Sequence, residues 1–229
     1  MVNRNIVAIG GGGFGRSIGK LIIEKYIISL STADRPKICF IPTASGDNHS
    51  YILNFYRAFS SLNCITSHVD FFSRTEELED KIFDQNIIFV GGGNTKTMLA
   101  VWREWGLDII LKKAYEKGII MSGVSAGAIC WFEKGITDSH ASDLQIINCM
   151  GFLNGIACPH FDEEKEREPY VNQLLRDEVI NSCICIEGYS ALHISNDNNF
   201  KTINFGTNKK CFELRKNNNN KILKKGFQI

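Results

Sequence analysis

Through the first 190 residues, short and continuously apolar runs alternate with longer amphipathic stretches, and this alternation constrains the fold more than any other feature. The apolar runs are Asn5–Ile9 and residues 37–42, 65–71, 86–90 and 118–122. A strand facing water on one side alternates polar and apolar residues, whereas a strand covered on both faces reads as an unbroken apolar run. Helical spacing marks the stretches 17–29, 51–62, 95–105 and 107–117 between them. Strands and helices in this succession predict an α/β fold: three layers, a mostly parallel sheet, helices on both faces and right-handed crossovers. After Ser190 the pattern changes. Residues 191–195, 200–205, 210–215 and 221–225 are short strand-like runs separated by asparagine-rich turns. They predict an antiparallel extension of the same sheet over about 191–229. With no linker, repeat or heptad in view, residues 1–229 read as one domain.

Composition supports a packed domain and excludes several function classes. The 229 residues are 44% apolar and 22% charged, enough for a sizeable core and too apolar for a disordered chain. A membrane helix needs about 18 consecutive apolar residues, and none occurs. The first nine residues lack the long apolar region of a signal peptide. Eight cysteines without a Cys-x-x-Cys pair suggest neither a zinc ribbon nor a redox couple; they read as reduced, mostly buried thiols in a cytoplasmic protein. Net charge is +1, split into −6 over residues 1–200 and +7 over 201–229. Without interleaved aromatics the basic tail does not read as a nucleic-acid site. Lysines that guard an exposed sheet edge explain it.

Three motifs carry the chemistry. Gly10-x-Gly12-x-x-Gly15 follows a strand and has the form of a dinucleotide fingerprint, but the second strand ends Ile41-Pro42-Thr43-Ala44, without the acid that would hold a ribose. A tight strand-to-helix turn is the better reading. Gly123-Val124-Ser125-Ala126-Gly127 follows an apolar strand and precedes a helix-compatible stretch at 128–132. In that setting Gly-x-Ser-x-Gly places the serine on a sharp turn at the carboxyl end of the sheet, and the Ala126 N–H can face a developing oxyanion. His160, after Pro159 at the end of the apolar run 155–158, sits where it can reach such a serine. The acids that follow it, Asp162, Glu163 and Glu164, read as residues favoured in a helix's first turn. No second histidine has ligand spacing, so no metal site is expected.

The segments Phe89-Val-Gly-Gly-Gly-Asn-Thr95, Gly123-Val-Ser-Ala-Gly-Ala128 and Pro159-His-Phe-Asp162 resemble, in order and spacing, motifs of the peptidase E family, which includes aspartyl dipeptidases and cyanophycinases. Residues 186–192, Ile-Glu-Gly-Tyr-Ser-Ala-Leu, resemble a further segment of that family, with Ile186 where the family often has Asp. The resemblance covers about residues 5–195. It implies a fold like that of class I glutamine amidotransferases, and a Ser-His-acid hydrolase that needs no metal or other cofactor. By the same resemblance Ser125 is the nucleophile and His160 the general base, and the Gly91–Gly93 turn completes the oxyanion hole through Gly92 or Gly93.

These expectations describe a serine peptidase acting on short peptides, with aspartate on the acyl side, as a monomer or homodimer. Arg167 is the first candidate cation for a substrate carboxylate, although it can equally pair with Glu163 or Glu164. Asn94 and Glu187 are further candidates for substrate contact. For the triad acid, Asp138 keeps the order Ser-acid-His of many elbow hydrolases and follows Gly135, which can end a short helix; Glu187, Asp143 and Glu133 are the alternatives. An esterase or amidase on the same elbow, or a relative that binds a peptide or anion without turnover, are the rival functions.

Overall fold

The computed structural model describes residues 2–16, 19–140, 143–206, 208–217 and 222–227. Among these residues the strands form two sheets. In the first, β1 (Asn5–Ile9), β5 (Ile120–Val124), β4 (Ile87–Val90), β2 (Lys37–Ile41) and β3 (Ile65–His68) run parallel in that spatial order. Beyond β1, β10 (Ser190–Ser195) and β11 (Asn199–Asn204) add antiparallel. Period-two alternation sends successive side chains to opposite faces. Ile6, Ala8, Cys39, Ile41, Ile88 and Val90 enter one core, and Val7, Ile9, Ile38, Phe40, Ile87 and Phe89 the other. Helices α1 (Ile22–Ser29) and α2 (His49–Phe59) close the second core. Helices α4 (Thr95–Trp105) and α5 (Leu107–Glu116) pack on the first.

Four features differ from the sequence expectation. The helix-compatible stretch at 128–132 is cut short: α6 covers only Ala126–Ile129, and the chain passes into β6 (Phe132–Thr137). Trp131 and Phe132 are fully buried there, and bulky aromatic residues favour strand over helix. A second sheet begins at this point. It runs β13 (Ile222–Gly226), β12 (Cys211–Lys216), β9 (Ser182–Ile186), β8 (Leu153–Cys158), β6 and β7 (Gln145–Asn148). The C-terminal antiparallel strands are therefore divided, β10 and β11 extending the first sheet and β12 and β13 the second. The same alternation explains the packing. Ile184 and Ile186 face the first sheet, whereas Cys183 and Cys185 face α7 (Arg167–Arg176) on the outside. A short helix at α3 (Leu78–Phe83) has no counterpart in the sequence reading, and α1 starts at Ile22, with the earlier residues 17 and 18 outside the described set.

Among the described residues all eight cysteines are free, and all but Cys149 are buried. Lys201 lies on β11 and Lys224 and Lys225 on β13, the outer strands of the two sheets, as edge protection requires. No helix of the described residues is long and apolar enough to cross a membrane.

Candidate active site

Ser125 joins β5 to α6 with φ 58° and ψ −110°, a left-handed conformation that costs a non-glycine residue energy and persists where the surroundings enforce it. The flanking glycines do the enforcing. A Cβ on Gly123 would sit 2.3 Å from the carbonyl oxygen of Gly127, and one on Gly127 would sit 2.2 Å from that of Val90 in β4. Helix and neighbouring strand thus approach as closely as backbone allows, and the turn between them is forced. Intrahelical bonding in α6 starts with Ala128 N–H and Ile129 N–H, which both donate to the Ser125 carbonyl, so the Ala126 N–H precedes the ladder. Gly92 lies against the serine: a Cβ there would be 3.3 Å from the Ser125 Cβ. Its N–H donates a long 3.4 Å bond to the hydroxyl of Tyr51, a phenol whose pKa burial pushes up to about 12. Gly93 closes against the Ala44 carbonyl, from which its Cβ would be 2.2 Å.

His160 follows β8 and Pro159, also with positive φ (50°), and is 8% exposed. Two successive carbonyls at the end of β1 hold the backbones of both residues. Ser125 N–H donates to Ile9 at 3.0 Å and His160 N–H donates to Gly10 at 3.2 Å. An open cavity of about 330 Å³ is lined by Ser125 and His160 together with Gly93, Asn94, Asp138, Ser139, Glu164 and Arg167.

The carboxylate on the imidazole is not the one the chain order suggested. His160 Nδ1 lies 2.6 Å from Glu163 Oε2. A carboxylate only accepts, so Nδ1 carries the hydrogen and Nε2 is left as the basic nitrogen. Asp138 lines the cavity just beyond the end of β6, but the bond to the imidazole goes to Glu163. The turn after His160 explains this: Glu163 N–H and Glu164 N–H both donate back to the His160 carbonyl, which folds the third residue onto the ring. Burial raises the Glu163 pKa, but the hydrogen bonds from Arg16 and His160 outweigh it and hold the carboxyl below its usual range. Arg16 had no sequence signal at all. It forms an ion pair with Glu163 from 147 residues away, with Nη2 at 2.8 Å from Oε2.

The remaining candidates separate. Arg167 pairs with Glu164, one of the two partners the sequence offered, and is 2% exposed. It opens α7, donates to Glu164 Oε2 through Nε at 2.7 Å and to the Ile136 carbonyl through Nη1 at 3.1 Å, and still lines the cavity. Asn94 caps α4, accepting from Thr97 N–H at 2.8 Å, while Nδ2 reaches the Ser139 carbonyl at 3.4 Å. Glu187 does not line this cavity; its carboxylate accepts from Lys210 N–H at 2.8 Å. Glu133 is exposed on β6 rather than on a continued helix, and accepts from Gly155 N–H. Asp143 is exposed beyond the end of β6. The Gly10–Gly15 turn packs against protein: a Cβ on Gly10 would meet the Glu187 carbonyl at 2.2 Å, and one on Gly15 the Tyr51 ring at 2.8 Å. Among the described residues no group of three or more His, Cys, Asp or Glu is placed to hold a metal ion.

A serine on a strained turn at the carboxyl ends of a parallel sheet, sharing a cavity with a histidine, marks a serine-type hydrolase. Comparison with known proteins narrows the class. The profile of peptidase family S51 matches residues 6–202. A Bacillus subtilis (strain 168) peptidase, YgaJ, itself uncharacterized, is 42% identical over 212 residues, 92% of each chain. A crystal structure of a candidate peptidase E protein from Listeria monocytogenes EGD-e superposes with a TM-score of 0.67 at 18% identity, over 88% of this chain and 98% of that one. A peptidase from an acI-B1 Actinobacterium gives 0.66 at 17% identity, over 91% and 93%. At these identities the two structures speak for the fold alone. The chain belongs to peptidase family S51, the peptidase E family, and is a serine-type peptidase.

Proposed function

We propose that this peptidase cleaves short peptides with aspartate on the acyl side, through an acyl-enzyme on Ser125. The observation that carries the reading is the common cavity of Ser125, His160 and the buried Arg167. Ser125 Oγ attacks the scissile carbonyl while His160 Nε2 takes its proton. The Ala126 N–H and an N–H of Gly92 or Gly93 hold the oxyanion. His160 then protonates the leaving amine as the C–N bond breaks, and water, deprotonated by the same imidazole, releases the acid. Glu163 fixes the tautomer and stabilises the imidazolium, the role that chain order had suggested for Asp138. Arg167 spends three N–H groups on Glu164 and Ile136, and a guanidinium has five, so donors remain for a substrate carboxylate. Unpaired, mostly buried thiols suit a reducing compartment, and we place the protein in the cytoplasm on that ground. The test is turnover of an Asp-X dipeptide panel beside neutral dipeptides and p-nitrophenyl esters, by wild type and Ser125→Ala. Hydrolysis of esters alone, or equal turnover by Ser125→Ala, would overturn the reading.

A further inference from the structure

The glycine-rich turn after β1 binds no nucleotide phosphate in the reading above, yet it delivers a charged group to the site. We propose that Arg16, carried by this turn, is the positioning residue of the peptidase site, holding the Glu163 carboxylate against His160 Nδ1. This rests on the reading of Ser125 and His160 as nucleophile and base.

Three observations carry it. First, the guanidinium grips both carboxylate oxygens: Nη1 pairs with Oε1, and Nη2 lies 2.8 Å from Oε2, the same oxygen that accepts from the imidazole at 2.6 Å. A two-point grip fixes the carboxylate plane, which a single hydrogen bond cannot do. Nη2 also comes within 3.1 Å of His160 Nδ1. Second, the turn itself is anchored. Phe14 is 1% exposed, and its ring packs against those of Phe40, Tyr51, Phe55, Phe59 and Phe89 at centroid distances of 5.1–5.8 Å. Its N–H donates to the buried Glu24 carboxylate at 2.7 Å. Arg16 therefore leaves a fixed point only two residues away. Third, a Cβ on Gly11 would sit 2.6 Å from Glu163 Oε2 and 2.8 Å from His160 Nδ1, so the turn lies directly on the pair it positions.

The charges around the imidazole decide the sign of the effect. From its own turn come Glu163, Glu164 paired with Arg167, and Asp162 paired with Lys209. From beyond β6 comes Asp138, and from the connection between β9 and β10 come Tyr189, against the turn, and Glu187, bonded to Lys210 N–H. Arg16 is the cation in contact with both Glu163 and the ring. Removing it takes a positive charge from beside the ring and leaves Glu163 less neutralised. Both changes favour the protonated imidazole, so a higher pH is needed to free the base.

The experiment follows the rate of Ser125 labelling by a fluorophosphonate from pH 5 to 9, on full-length wild type, Arg16→Lys, Arg16→Gln and Ser125→Ala, with melting temperature as the check on folding. Arg16→Gln should label about tenfold or more slowly at neutral pH, with the acid-side midpoint moved to higher pH. Arg16→Lys keeps the charge and should keep the midpoint while losing part of the rate. In a Glu163→Gln background, Arg16→Gln should cost almost no further rate at the plateau, because positioning acts through one contact, and only the direct effect of its charge on the midpoint should remain. Wild-type rate and midpoint in Arg16→Gln, or a slower rate with an unmoved midpoint, would overturn the inference while leaving Ser125 and His160 in place. Should Arg16→Gln fail to fold, the Arg16→Lys midpoint and its coupling to Glu163→Gln decide: a shifted midpoint, or independent effects, overturns the inference. Absence of Ser125 labelling in the wild type would overturn the site reading itself, and the inference with it.

Discussion

Glu163 folds back three residues and places a carboxylate oxygen 2.6 Å from His160 Nδ1, on the nitrogen that a serine hydrolase keeps away from its nucleophile. Glu163→Gln keeps the shape and removes the charge, so kcat should fall by about three to four orders of magnitude. Asp138→Asn, which alters the cavity wall but not that bond, should change kcat less than tenfold and act on KM. Steady-state kinetics on the two variants separates the carboxylates, and a larger fall in Asp138→Asn would restore the acid that chain order favours.

Ser125→Ala should lower kcat by about five to six orders of magnitude, more than Glu163→Gln does, since only binding and the oxyanion donors would remain. The melting temperature should hold or rise, because alanine relieves nothing essential to the turn and the Ser125 backbone N–H bond to Ile9 persists. Retention of several per cent of wild-type kcat would count against the nucleophile.

Gly127→Ala pushes a methyl to within 2.2 Å of the Val90 carbonyl, a backbone atom that cannot swing aside. Overpacking of this kind costs about 1–3 kcal/mol, and the turn that presents Ser125 must distort. Denaturant unfolding should show the loss, with activity falling further than stability alone explains. An unchanged midpoint would mean that β4 and α6 are less tightly apposed.

Arg167→Met leaves the Glu164 carboxylate and the Ile136 carbonyl without their donor, at a cost of about 1–3 kcal/mol. If the remaining guanidinium donors also meet the substrate, KM should rise tenfold or more for Asp-X peptides and little for neutral ones. Equal changes for both would confine Arg167 to its structural pairs.

His193 gives the fold a pH dependence away from the site. Its Nδ1 lies 2.7 Å from the Tyr26 hydroxyl and its Nε2 2.9 Å from Asn5 Oδ1, so the neutral ring is satisfied by one bond received and one given. Burial first, then Lys201, lower its pKa below the ordinary histidine value of 6.5. The unfolded chain therefore binds the proton more readily, and the contribution of His193 is complete above that ordinary value and lost as pH falls below it. Between pH 8 and 5 the melting temperature of wild type should drop more steeply than that of His193→Gln; parallel curves would remove His193 as the cause.

The first sheet was legible because β1, β2, β4 and β5 are covered on both faces, and such strands announce themselves as unbroken apolar runs. Thr95–Trp105 was legible end to end, with Asn94 capping it and Gly106 stopping it. The second sheet was legible only in pieces: residues 210–215 and 221–225 mark β12 and β13 and the run 155–158 marks the end of β8, but nothing marked them as a sheet of their own. β6 reads Phe-Glu-Lys-Gly-Ile-Thr without a regular alternation, with Glu133 exposed and Lys134 half-buried, and β7 has only four residues, too little pattern to distinguish from a loop. The site divides in the same way. Ser125 is written into a local motif. The bond between Glu163 and His160 was hidden by an alternative use for an acid in a helix's first turn, although the i, i+3 spacing was there to see. Arg16 depends on a contact across 147 positions, for which a single sequence offers no signal.

Ile9 and Gly10 offer adjacent carbonyls to Ser125 and His160, one from each sheet. Two successive peptide units thus work as a gauge block between two bodies. If the sheets shear, the backbones of Ser125 and His160 stay hydrogen-bonded to one short covalent segment, so their separation follows that segment as well as the packing between layers. Wear in the interface would therefore show first in how substrate is held, and only later in the chemistry.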